Sequence, residues 1–211
     1  MRMRKSHTPD VVYIIESFNE QMDSFEGREL SERVVNSVYF FVETKQEFFN
    51  LWNDICCDFE ERRGKMHAMP FFYFSFHGND DGLFLRNGEC VAWVEVLSFM
   101  NRFHSWLLGN PTTEDTKAWE IPRFTALCSI CNSFNPIEEL ATKIPNPFQS
   151  WIAPRNKILP NVALEAFSIF LELCRGDEPL RSFEDALDSI NMSMDTELGI
   201  KIFKKIPVKI S

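Results

Sequence analysis

Apolar positions along the chain fall into two alternating kinds of segment. Val11 to Ile15 and Val38 to Val42 are short, unbroken, β-rich runs that read as buried strands. The polar and acidic stretch from Glu16 to Glu32 follows the first as loop or helix. After the second, Thr44 precedes Phe48, Phe49, Trp52, Ile55, Cys56 and Phe59 at three- and four-residue spacing, which predicts a helix closing near Gly64. Pro70 opens the aromatic run Phe71 to Phe76, too continuous for a half-exposed strand and therefore placed centrally in a sheet covered on both faces. That run stops at His77-Gly78.

Asn79-Asp80-Asp81-Gly82 is a turn signal, and Leu83 to Leu85 with Arg86 to Glu89 suggests a small surface hairpin. Val91 to Leu108 has the periodicity of an amphipathic helix. A polar connection from Gly109 to Arg123 leads to Phe124 to Ile130, a second central strand that stops at Cys131-Asn132-Ser133. Pro136 to Ile144 predicts a short helix and Trp151 to Ala153 a short strand. Helices are then expected over Ala163 to Leu173, with Gly176 as C-cap, and over Leu180 to Ile190. Ile200 to Ile210, studded with Lys201, Lys204, Lys205 and Lys209, suits a guarded edge strand. Strands alternating with helices predict an α/β fold, a three-layer α/β/α sandwich with a mostly parallel central sheet, and the absence of internal repeats predicts a single domain over residues 1–211.

Composition narrows the function classes. The chain is 45% hydrophobic and 25% charged, values that exclude disordered and fibrous classes. Phe occurs 21 times, yet no apolar run is long enough to span a bilayer, and Met1 to Lys5 lacks the apolar stretch of a secretory signal, so a soluble cytoplasmic protein with no membrane partner is expected. A net charge of −9 disfavours nucleic acid as a direct partner. The 6 cysteines do not make a disulfide scaffold in a chain of 211 residues and read as thiols.

In parallel sheets functional groups gather outside the carboxyl ends of the strands, and the two central strands here end in His77 and Cys131. A Cys–His pair is the minimum for thiol nucleophilic catalysis, because the imidazole favours the thiolate and the imidazolium later protonates a leaving amine. Taken singly, each residue also fits a bland role, His77 as a satisfied strand-end histidine and Cys131 as a small buried hydrophobe. The stretch Phe74-Ser75-Phe76-His77-Gly78, followed by Asp81-Gly82-Leu83 and Arg86 to Glu89, resembles the catalytic-histidine segment of caspase-like peptidases of the CHAT type, in the caspase and separase clan. Leu127 to Ser133 resembles that group's strand ending in the catalytic cysteine, and Trp151 to Ala153 with Asn161 to Ile190 its later strand and paired helices. The resemblance implies a caspase-like fold, Cys131 as nucleophile, His77 as general acid and base, and the Gly78 backbone N–H as an oxyanion donor. It further implies a protein or peptide substrate, no cofactor, and an activating protein complex. The acidic balance favours basic residues at the cleavage site.

Other readings carry less. Cys128 and Cys131 form a C-x-x-C, but positions three apart on a continuing strand face opposite ways, and no second ligand pair completes a zinc site. The residues before Gly64-Lys65 lack the spacing of a phosphate loop. Asp80-Asp81 beside Gly82 reads as a turn. The rival class is a catalytically silent caspase-like module that binds a protein partner, since a fold implies no activity.

Overall fold

The computed structural model of the chain describes residues 11–18, 25–63, 70–109, 124–131, 133–140, 143, 148–175 and 183–202. Its elements run β1 (Val12–Ser17), α1 (Glu26–Arg33), β2 (Ser37–Phe41), α2 (Lys45–Arg63), β3 (Phe71–Gly78), β4 (Gly82–Phe84), β5 (Cys90–Ala92), α3 (Trp93–Gly109), β6 (Phe124–Cys128), α4 (Phe134–Leu140), β7 (Phe148–Pro154), α5 (Pro160–Arg175), α6 (Phe183–Met194) and β8 (Leu198–Ile202). The main sheet has the order β2-β1-β3-β6-β7-β8, parallel except for β8, which runs antiparallel to β7. β4 and β5 form a hairpin that extends from the end of β3. Helices cover both faces, which is the predicted three-layer α/β/α sandwich.

The aromatic run of β3 lies where the sequence pattern places it, between β1 and β6, and Phe71 to Phe76 are all buried. Its side chains alternate between two cores. Phe72, Phe74 and Phe76 face α2 and α3, where Phe48, Phe99 and Phe103 meet them. The ring centroids of Phe72, Phe103 and Phe124 lie 5.1 to 5.7 Å apart, the spacing at which aromatic rings attract beyond simple burial. Phe71 and Tyr73 face the opposite way, into a layer with Val12, Ile14, Leu127 and Ile152 that is covered by Leu30 of α1, Phe167 and Phe170 of α5 and Ile190 of α6.

Several local expectations change. The segment read as a buried strand over Val38 to Val42 is β2, an edge strand paired only to β1 and half-exposed along its length. The acidic stretch after β1, read as loop or helix, does hold a helix, α1, whose buried Leu30 docks on the second core. Val91 and Ala92 belong to β5 rather than to the following helix, because Leu83 and Gly82 pair with them across the hairpin. α4 begins at Phe134 and ends at Leu140, earlier than the periodicity suggests, and β7 is longer than Trp151 to Ala153. α2 starts as expected at Thr44, whose hydroxyl accepts from Glu47 N while the Glu47 carboxylate accepts from Glu43 N and Thr44 N. The connection over 110–123, the cap at Gly176 and the Lys-rich segment beyond Ile202 lie outside the described residues.

Phe72 is wholly buried at the centre of the ring cluster, so Phe72→Ala should cost about 3–5 kcal/mol of unfolding free energy. Met192→Ala, at a position 88% exposed, should stay within about 0.5 kcal/mol, both measured by urea denaturation.

Candidate functional site

The strand order turns back on itself between β1 and β3, since β1 connects outward to β2 while the rest of the sheet grows from β3. A crevice at such a switch point opens outside the carboxyl ends of the strands. Phe18, which follows β1, and His77, near the end of β3, meet there with ring centroids 5.0 Å apart and planes at 90°. Phe18 is buried and His77 half-buried. Burial lowers the His77 pKa below its ordinary value, so the imidazole is neutral at pH 7 and able to accept a proton. Its Nε2 is buried without a hydrogen-bond partner among the described residues.

Cys131 reaches the same edge of the sheet by strand register. β3 and β6 pair in parallel as Phe71 with Thr125, Phe72 with Ala126, Tyr73 with Leu127 and Phe74 with Cys128, a constant offset of 54 residues. The same offset separates His77 from Cys131, each three positions beyond the last paired residues. The ladder continues for one bond beyond β6, with Ser129 N donating to Phe74 O at 3.0 Å, before the chain turns. In that turn the Ile130 carbonyl accepts from both the N–H and the hydroxyl of Ser133. The half-buried Cys131 thiol donates to Ile158 O at 3.8 Å, in the connection between β7 and α5. Ile158 packs on the Tyr73 and Leu127 side of the sheet, and alternation along β3 puts His77 on that same side as Tyr73.

Gly78 is set by close packing. A Cβ at this position would collide with Ile130 Cγ2 and lie 2.7 Å from Gly82 O. The glycine thus lets the end of β3 approach both the Cys131 turn and the start of β4. The hairpin is tied back over the switch point by Arg86 N, which donates to Ser17 Oγ at 2.9 Å, and by the Arg86 guanidinium, paired to Glu43 at 2.5 Å and 5.9 Å from the Phe41 ring centroid.

Beneath His77 and Cys131 lies a polar layer that the sequence pattern did not single out. Glu16 is fully buried and its carboxylate accepts from Gly27 N at 2.6 Å, Arg28 N at 3.2 Å, Tyr39 OH at 2.7 Å and Ser75 Oγ at 3.1 Å. Burial raises its pKa, and those hydrogen bonds act in the opposite sense. Glu26, 3% exposed, accepts from Tyr73 OH. Burial raises the Glu26 pKa well above the carboxylate range, with the charges of Glu16 and Glu29 adding to it. The one signal in the sequence was Glu16 itself, which follows Val12 and Ile14 at strand spacing and so shares their buried face.

The two cysteines of the C-x-x-C are separated by the turn rather than by a continuing strand, since β6 ends at Cys128. Cys128 is wholly buried among the aromatic core and its thiol pKa is pushed up to about 12 by burial. No cluster of three or more His, Cys, Asp or Glu placed to hold a metal ion occurs among the described residues. No helix among them is long and apolar enough to cross a membrane.

No protein-family model and no curated protein sequence matches the chain. Among solved structures, the fold is similar to the X-ray structure of a secreted C11 cysteine protease from Bacteroides thetaiotaomicron in complex with an irreversible peptide inhibitor, with a TM-score of 0.51 at 10% identity. The match covers 88% of this chain and 58% of that one, so the chain spans little more than half the protease's length. The architecture is therefore a caspase-like fold, a mostly parallel sheet flanked by helices.

Gly78→Ala should lower stability by about 1–3 kcal/mol, and adding Ile130→Ala should recover part of that loss in a double-mutant cycle, because one of the two collisions is with the Ile130 side chain. The buried acid gives a pH signature. With its folded pKa above the unfolded value of about 4.3, Glu26 makes the native state bind more protons, so its contribution to stability falls as pH rises from there toward the raised pKa. Glu26→Gln lacks that loss and should gain stability relative to the wild type between pH 4 and pH 8 in urea titrations.

Proposed function

We propose that the chain is a cysteine peptidase of the caspase and separase clan, acting on a protein or peptide through Cys131 and His77. The observation that supports this reading is that β3 and β6 are adjacent parallel strands, so that the segments leaving their carboxyl ends carry His77 and Cys131 beside the switch point between β1 and β3. The neutral, partly desolvated His77 suits a group that must accept a thiol proton at pH 7. The assignment to the CHAT type within the clan rests on the His77-Gly78 and Cys131 segments of the sequence alone, and so does the expectation of an activating protein complex.

In this mechanism His77 takes the proton of Cys131 as Sγ attacks the scissile carbonyl, forming a tetrahedral oxyanion. The Gly78 N–H is the proposed donor to that oxyanion, at a position where only a glycine lets the strand end come so close to the Cys131 turn. His77 then gives its proton to the leaving amine. A water molecule, deprotonated by the same imidazole, attacks the thioester, and the acid product and free thiol are released.

One feature favours a second reading, a silent module that binds a partner. The described hydrogen bond of the Cys131 thiol goes to Ile158 O and not to His77. Site-resolved alkylation by iodoacetamide separates the two. A peptidase predicts that Cys131 is alkylated well below the pH at which a free thiol of pKa about 8.5 reacts, and that His77→Ala shifts this profile upward by a unit or more. A profile indifferent to His77 would favour the binding module. With peptide substrates, Cys131→Ala should abolish hydrolysis that Cys57→Ala, at an exposed thiol on α2, leaves intact.

A further inference from the structure

β1 and β3 pair in parallel as far as Ser17 with Phe76, and Phe18 and His77 are the next residue on each strand. Their side chains meet with ring centroids 5.0 Å apart and planes at 90°, the T-shaped arrangement that aromatic rings favour over a face-to-face sandwich. Phe18 is 4% exposed, so its own ring is held by packing. The imidazole has little else to fix it. A histidine that works as a base is ordinarily oriented by a hydrogen bond from its second ring nitrogen to a carboxylate or a carbonyl. The Nε2 of His77 is buried without a hydrogen-bond partner among the described residues. The elements around His77 are the end of β1 with Phe18, β4 with Phe84 in register, and the turn after β6, whose Ile130 lies against Gly78. Burial is the one cause of the lowered His77 pKa, with no charged side chain from these elements contributing to it.

We propose that Phe18 is the positioning residue of the candidate general base, its ring setting the orientation of the His77 imidazole and keeping water from it where a hydrogen-bonded acid would otherwise do so. The inference rests on the peptidase reading above. Rotation of His77 about its Cβ–Cγ bond is broad and soft in the absence of a partner, and a flat, rigid neighbour selects one orientation where an aliphatic side chain of similar bulk tolerates several. The same cover favours the neutral imidazole, the form that accepts the Cys131 proton. Phe18 has no part in proton transfer and acts through His77 alone.

The test joins an NMR titration of the His77 Cε1–H in the full chain with the pH profile of Cys131 alkylation by iodoacetamide, each read beside the urea midpoint. Phe18→Leu keeps an apolar side chain, and with it the fold, but removes the ring. It should raise the His77 pKa by about half a unit, toward the ordinary value of about 6.5, as water reaches the imidazole. It should also lower the alkylation rate at pH 7 by about fivefold and move the profile upward, toward that of a free thiol. Phe18→Tyr keeps the ring and should hold the rate within about twofold of the wild type, with the His77 titration in place. Ile190→Ala, a buried change in α6, controls for lost stability and should leave both readouts in place. A His77 titration or a Cys131 profile that Phe18→Leu leaves unchanged overturns the positioning role alone, as do changes that Phe18→Tyr or Ile190→Ala reproduces. A wild-type Cys131 with no dependence on His77 overturns the peptidase reading and the positioning role with it.

Discussion

The Glu16 carboxylate accepts four hydrogen bonds from three elements at once: its own strand neighbour β3 through Ser75, the edge strand β2 through Tyr39, and the first turn of α1 through two backbone N–H groups. Phe25 provides no side-chain cap for α1, so the orphan N–H groups at its start are satisfied by a residue of the sheet instead. Gly27 makes this geometry accessible, since a Cβ there would stand 3.1 Å from the Glu16 carboxyl and from Ile14. Removing the carboxylate would strand four donors in a dry layer, at a cost of about 1–3 kcal/mol for each one left unpaired. The docking of α1, and with it the placement of Glu26, depends on this one acid.

That layer explains how a site can be built at the end of an otherwise aromatic sheet. Below it, Tyr73 and Leu127 pack against α5 as ordinary core. Above it, His77 and Cys131 stand at the rim, one half-buried and short of a partner, the other donating a weak hydrogen bond to a carbonyl. Between them sit Ser75 and Ser129, small hydroxyls on adjacent strands, the first donating to Glu16 and the second to Phe74 O. Two acids so close cannot both ionise cheaply when removed from water, and burial pushes both toward the neutral form.

The opposite face of the sheet does different work. The rings of Phe72, Phe74, Phe103 and Phe124, with Trp52 and Trp151 around them, hold α2 and α3 to the central strands chiefly by contact area and ring geometry, with one hydrogen bond from Tyr13 OH to Asp58 of α2. The β4 and β5 hairpin is fastened at its loop, where the Glu89 carboxylate accepts from Lys45 N at the start of α2 while Lys45 pairs with Glu95 of α3. Such a frame fixes the carboxyl ends of β1, β3 and β6 relative to one another, which is the requirement for any chemistry shared between His77 and Cys131.

Much of this was legible before folding. The central placement of β3 follows from an unbroken aromatic run, and the candidate pair follows from two strands ending in a histidine and a cysteine, because strand ends are local properties of the chain. Their separation of 54 residues is also the register offset of β3 and β6, but only pairing shows that the two numbers are the same. β2 looked like a buried strand because its composition is that of one, and its edge position depends on which neighbours arrive, which no local pattern records. Glu16 and Glu26 read only as part of a polar and acidic stretch of loop or helix. They are buried because α1 folds back on the sheet and Tyr39, Tyr73 and Ser75 come from distant segments to meet them. The sequence by itself determined the alternation of strands and helices and the central place of β3, which follow from local pattern; tertiary structure alone decided which acids lie beneath the strand ends, since Tyr39, Tyr73 and Ser75 reach those carboxyls from distant segments.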